Sequence, residues 1–199
     1  MEGNTQKIIF IILSTFIIVA GCNKTNDEPY RLSDGDKALL SSGDIIMRRG
    51  EGMLSTMIIN GINDSTGVSH CGVIVRNGDS INVIHCLSDE VSDVDGVQLC
   101  SLDDFVADGV RGTIAVVRCR YDSLGHLASG ARYYLTTGKE FDLQFDAKDT
   151  TRFFCSEMPV RILYDCVGID IIGKERQYNF KMFFNPSYFD TIFIDKITY

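Results

Sequence analysis

The chain contains three histidines, and two of them, His70 and His85, flank an Asn77-Gly78 pair set between runs rich in β-branched residues. Asn-Gly in that setting is the strongest short-range signal for a β-hairpin. A hairpin turning symmetrically about Asn77-Gly78 places Val75 opposite Ser80 and, further out, His70 opposite His85, with both imidazoles on one face. The pairing depends on register, because a one-residue slip sends one ring to the other face. Cys155 follows Phe153 and Phe154 and opens a predicted helix. A thiol in that position feels the unpaired N–H groups of the first turn, and a neighbouring imidazole draws its pKa further below about 8.5. Nucleophilic acyl transfer needs a thiolate, a base, a group that orients the base, and donors for an oxyanion. Cys155, His70, His85 and the helix-start N–H groups fit these roles. The same three side chains are also a possible zinc set with an open fourth position, and each taken singly is compatible with a buried structural role. Cys71 and Cys86 cannot join the histidines at one metal, since adjacent strand residues point to opposite faces. The expectation is therefore a catalytic set of Cys155, His70 and His85 with no metal and no cofactor.

The elements that must position these residues follow from local patterning. Ile45-Ile46-Met47 is a short apolar run suited to a buried strand, and residues 50–62 offer a helix or irregular turn. Strands are expected over 72–75 and 81–86, and again over 113–118. Ser101 is a possible cap for a short helix reaching Ala107. Residues 122–137 carry an apolar stripe at helical spacing, closed by Gly138. The cysteine helix is expected from Cys155-Ser156 to about Tyr164, with Pro159 near enough to its start to be tolerated. An apolar, aromatic tail from residue 185 completes the domain as a turn and a strand.

In order and spacing, Gly43-Asp44-Ile45-Ile46, Ser69-His70-Cys71-Gly72-Val73, Val83-Ile84-His85, Phe141-Asp142-Leu143 and Phe154-Cys155-Ser156-Glu157 resemble the YiiX/YebB-like permuted NlpC-type cysteine hydrolases. The resemblance spans roughly residues 40–190. It implies an α+β, circularly permuted papain-like (NlpC-type) fold, an antiparallel sheet packed against a few helices, with the histidine strand ahead of the cysteine helix. It also implies His70 as base, Cys155 as nucleophile and His85 in the third, orienting position. That position is glutamate in YiiX proteins and usually histidine in the wider NlpC-type superfamily. A neutral imidazole orients a base without the charge stabilisation a carboxylate gives, and Asp89 or Glu90 is the carboxylate alternative. Glu157 either steadies the first helical turn or contacts a substrate amine. Asp44 and Asp142 are assigned structural roles.

The N-terminus reads as a secretory signal: Lys7, about 13 apolar residues, then small residues. That run is short for a membrane span, which needs roughly 20 residues. Val19-Ala20-Gly21-Cys22 resembles the lipobox of bacterial lipoproteins, which implies acylation at Cys22 and a protein held in the cell envelope by several acyl chains. The expected organisation is a signal over 1–22, a tether over 23–38 and one domain over 39–199. About 178 residues remain after the signal, enough for a single core. A net charge of -8 without any basic run excludes a nucleic-acid partner. Seven cysteines without a CxxC pair suggest small core residues and one reactive thiol. The function read from these residues is an envelope-associated thiol hydrolase acting on a small-molecule, peptide or lipid amide. The alternatives are an acyltransferase of the lecithin-retinol acyltransferase type and a non-catalytic binding lipoprotein.

Overall fold

The computed structural model describes residues 28–61, 65–173 and 178–195. The proposed signal and Cys22 lie outside them. The first element is a short helix, Asp34–Leu39 (α1). The Ser33 hydroxyl accepts the Asp36 N–H at 3.1 Å, and the Asp36 carboxylate accepts the Ser33 N–H at 3.3 Å. This reciprocal capping box starts a helix within a polar stretch. Leu32 ahead of it and Leu40 behind it are buried, so the tether expected over 23–38 is corrected: its later part belongs to the folded domain.

Six strands follow: Ile45–Arg48 (β1), His70–Asn77 (β2), Ser80–Leu87 (β3), Gly96–Ser101 (β4), Ala115–Cys119 (β5) and Phe189–Ile194 (β6). They form one sheet in the order β4-β3-β2-β1-β5-β6, antiparallel at every pairing. The architecture is α+β, as expected. The strands that carry the site are the central ones and are buried on both faces. One face holds Ile46, Ile74, Val83 and Val116 and is covered by Leu32, Leu40 and the helix Leu102–Ala107 (α3), whose N-cap is Ser101. The other face holds Ile45, Val73, Ile84 and Val117 and packs against the helices His126–Thr137 (α4) and Glu157–Ile162 (α5). Gly52–Gly61 (α2) forms a helix on the segment read as helix or turn, with Met53 and Met57 exposed.

The hairpin register differs from the expected one. Asn77 pairs with Ser80, leaving Gly78-Asp79 as the two-residue loop, so Val75 faces Asn82 and His85 faces Gly72. Gly78 has φ 59°, and taking the first loop position puts the left-handed residue where glycine is favoured in a tight hairpin. The offset between expected and observed register is two residues, which preserves the face of every side chain.

Helix α4 begins at His126 instead of residue 122 because the Asp122 carboxylate accepts the N–H groups of His126 (2.6 Å) and Leu127 (2.9 Å) and caps it from outside. Helix α5 begins two residues after Cys155 and continues through one wider turn, Leu163–Val167. Cys166, on that wider turn, is exposed. No helix among the described residues is long and apolar enough to cross a membrane.

Candidate functional site

The site lies at the end of the sheet where β1 finishes, β2 starts and β3 finishes. Arg48, the last residue of β1, is paired with His70, the first of β2, and His85 is paired with Gly72 one step further along the same face. His70 and His85 therefore meet diagonally: His70 Nε2 lies 2.9 Å from His85 Nδ1, with the rings 69° apart. That bond uses Nε2 of His70 and leaves Nδ1 as the ring nitrogen available to a thiol. The hydrogen-bond partner of His70 is thus His85, and no bond from His70 to Asp89 or Glu90 is present among the described residues.

The short signature glycine has a direct physical role here. A Cβ on Gly72 would lie 2.5 Å from Val83 Cγ1, 2.9 Å from the Ile84 carbonyl oxygen and 3.0 Å from His85 Cβ. Two of these obstacles are a backbone oxygen and the imidazole's own stem, so room for the ring depends on glycine. Gly72→Ala is expected to destabilise the protein by about 1–3 kcal/mol through overpacking and to displace His85. Urea unfolding together with the histidine ring NMR signals checks this; unchanged ring shifts would contradict it.

Phe105 of α3 covers both imidazoles, at 5.6 Å from His70 and 5.5 Å from His85 between centroids. Burial, then the Arg48 charge, then His85 hold His70 well below its usual pKa. Burial and Arg48 push His85 down to about 3. Both rings are thus neutral at physiological pH. If His70 keeps Nδ1 free as a base, its Nε2–H donates to His85, and the remaining proton of His85 sits on Nε2, a buried atom without a partner.

Cys155 arrives from the opposite face of the sheet, in the turn before α5. The Cys71 thiol donates to the Cys155 carbonyl at 3.3 Å and the Cys86 thiol to the Phe153 carbonyl at 3.2 Å. The two cysteines beside the histidines therefore anchor the segment that carries Cys155, and burial raises both of their pKa values. The Cys155 thiol is lowered by the Cys71 thiol first, against the opposing effect of burial, with backbone N–H groups of Cys71, Ser156 and Cys155 adding to the lowering. The imidazole is not among these causes. Cys155 Sγ lies 4.0 Å from the carbonyl oxygen of Ser69, next to His70, and no Cys155–His70 hydrogen bond is present among the described residues. Catalytic hydrogen bonds in ligand-free sites are often long and tighten with substrate.

Cys155 and His70 line one cavity of about 680 Å³ with Arg48, Ser69 and Ser156. An aromatic wall lines one part of it, in which Phe145 packs against Phe141 and Phe154, and Phe154 against Tyr178. The substrate contact expected of Glu157 is corrected: its side chain is fully buried, and it is not among the residues lining the cavity. Burial raises its carboxyl to about 7, against the opposing charge of Arg161, whose Nη2 stands 3.6 Å away. Asp44 is held by Arg118 through two bonds of 2.6 and 2.8 Å. Asp142 accepts the N–H groups of Gln144 and Asp146.

Sequence reasoning missed Arg48 and Phe105. Arg48 carried a readable signal, a charge at the end of a strand whose other three residues are apolar. Phe105 had none, since only the packing of α3 brings it over the histidines.

The zinc arrangement does not fit the donors. Two nitrogens on a tetrahedral zinc, each about 2.05 Å from the metal, stand about 3.3 Å apart with their lone pairs aimed at it; here they face each other at 2.9 Å. No group of three or more His, Cys, Asp or Glu side chains among the described residues is arranged to hold a metal ion.

No protein-family model matches the chain, and no curated protein matches it. Among solved structures it is similar to one described as the crystal structure of metalloprotein YiiX from Escherichia coli O157:H7 (DUF1105). The TM-score is 0.62 at 19% identity, covering 78% of this chain and 97% of that one. At that identity the likeness is one of fold, and the fold is the YiiX-like one that the motifs of the sequence implied.

Proposed function

We propose that this chain, built on a YiiX-like fold, is a thiol hydrolase that cleaves an amide or ester through a thioester on Cys155. The observation that carries the reading is the shared cavity: the Cys155 thiol opens onto the same space as an imidazole whose Nε2 is tied to a second imidazole. Cys155 attacks the carbonyl, and His70 Nδ1 takes the thiol proton and returns it to the leaving group. His85 holds the His70 ring and tautomer through Nε2. The N–H groups of Cys155 and Ser156, which act on the Cys155 thiol, serve as donors for the developing oxyanion. Water, with His70 as base, then resolves the thioester. Because His70 is held neutral, the resting pair is thiol and imidazole more than thiolate and imidazolium, and the proton moves only during the reaction. We further propose that the protein acts in the cell envelope, held through acylated Cys22.

The test uses p-nitrophenyl acetate. A burst of p-nitrophenolate stoichiometric with protein, with acetyl mapped to Cys155 by mass spectrometry, is the expected result, and the same peptide map of membrane-purified protein should show acyl chains on Cys22. Acetyl on the exposed Cys166 alone would reject the assignment and favour a non-catalytic binding protein.

A further inference from the structure

We propose that Arg48 receives a carboxylate of the substrate, so that the amide or ester cleaved at Cys155 belongs to a monoanionic molecule; this rests on the thiol-hydrolase reading of the same cavity. Arg48 ends a strand in which Ile45, Ile46 and Met47 are fully buried, and it is itself only 5% exposed. An arginine keeps its charge under such burial, and a buried charge is ordinarily paired or hydrogen-bonded. Here Nε and Nη1 have no hydrogen-bond acceptor. The nearest carboxylate, Asp108, stands 3.7 Å from Nη1 with a side chain 68% exposed, beyond hydrogen-bond length and screened by water. The other neighbours of Arg48 are the Cys100 and Cys155 thiols, which act on it only when ionised, the Phe105 ring 4.7 Å beneath the guanidinium, and His70 opposite, which is neutral.

Arg48 is among the residues lining the cavity that Cys155 opens onto, and its Nε and Nη1 lie just beneath that surface, so an incoming anionic oxygen meets these N–H groups once the side chain shifts toward the cavity. Among the described residues, the other charged side chains around that cavity are Glu51, Glu90 and Asp108. These three acidic groups beside one cation among the described residues oppose a dianion more strongly than a monoanion, which favours a carboxylate over a phosphate. The arrangement also gives substrate selection a physical basis, because a ligand without the anion leaves the buried guanidinium unpaired.

Iodoacetate and iodoacetamide carry the same leaving group and differ chiefly in charge, so their rate ratio at Cys155 reads the anion preference of the site. Cys166, exposed in the same molecule, is the internal reference. The expected ratio at Cys155 exceeds that at Cys166 by about tenfold, falls to the Cys166 value in Arg48→Met and survives in part in Arg48→Lys. A native ratio no larger than that of Cys166, or one that persists in Arg48→Met, overturns the proposal. Should the variants fail to fold, the native protein decides: N-acetylglycine is expected to protect Cys155 from iodoacetamide at lower concentration than N-acetylglycinamide, and equal protection overturns the proposal. Better protection by inorganic phosphate overturns the choice of carboxylate. If Cys155 reacts with neither reagent, the hydrolase reading fails separately. Calorimetry of N-acetylglycine then judges Arg48, with binding lost in Arg48→Met supporting the anion site and no binding to the native protein rejecting it.

Discussion

Replacing His70 by alanine is expected to slow acyl transfer from an amide by about 10²–10⁴-fold while leaving alkylation of Cys155 by iodoacetamide nearly unchanged. The split follows from what surrounds the thiol. The Cys71 thiol and backbone N–H groups lower the Cys155 pKa, and these remain when the imidazole is removed. Alkylation needs the thiolate and no proton donor. Cleavage of an amide also needs a proton for the departing nitrogen, and His70 Nδ1 is the ring nitrogen free to carry it. Acetyl p-nitroanilide and p-nitrophenyl acetate separate the two roles, since p-nitrophenolate leaves without a proton and the ester should lose less in its acylation burst. Equal losses in alkylation and amide cleavage would mean that His70 acts on the thiol itself. No loss in either would remove it from the mechanism.

Acid should destabilise the protein early, starting near pH 6.5. His70 and His85 are neutral in the fold, the latter down to about pH 3, whereas in the unfolded chain both take up protons below about 6.5. The unfolded state then binds more protons, and stability falls as pH falls, by about 1.4 kcal/mol per pH unit for each ring. Glu157 works in the opposite sense. Its carboxyl, raised to about 7, keeps a proton in the fold that the unfolded chain releases above about 4.5. Between pH 6.5 and 4.5 the imbalance is therefore two protons against one. Urea unfolding should show a loss of about 1.5 kcal/mol between pH 6.5 and 5, growing to about 3 kcal/mol in Glu157→Gln, where the offset is gone. This window lies above the range in which the lowered carboxyls of Asp103 and Asp149 enter. Equal stability at pH 6.5 and 5 in both proteins would show that the imidazoles are not held neutral.

The local signals were strong where one residue type answers one local need. Asn77-Gly78 announced the hairpin, though the glycine's φ placed the turn one residue later than symmetry suggested. The apolar run of β1 and the stripe of α4 announced buried faces through their spacing. The strand β4 went unread because Val97 and Leu99 alternate too briefly around Gln98 and Cys100, and Gly96 breaks the run with φ 90° beneath the backbone of Lys139. The helix α1 went unread because its Ser33 and Asp36 capping box sits in a stretch whose composition is polar throughout.

By itself the sequence determined which residues have the chemistry: a thiol ahead of a helix, and two imidazoles separated by a tight turn. Strand alternation has a period of two, so their shared face survived the shift in register. What only the tertiary structure decided was everything that depends on contacts across distant elements. The diagonal meeting of His70 and His85 over Gly72 required the observed pairing of β2 and β3. The neutrality of both rings required Arg48 from β1 and Phe105 from α3. The anchoring of Cys155 required Cys71 and Cys86 to project from the other face of the sheet. Glu157 has the residue type of a substrate contact and the burial of a core residue, and burial comes from packing, which local sequence does not encode.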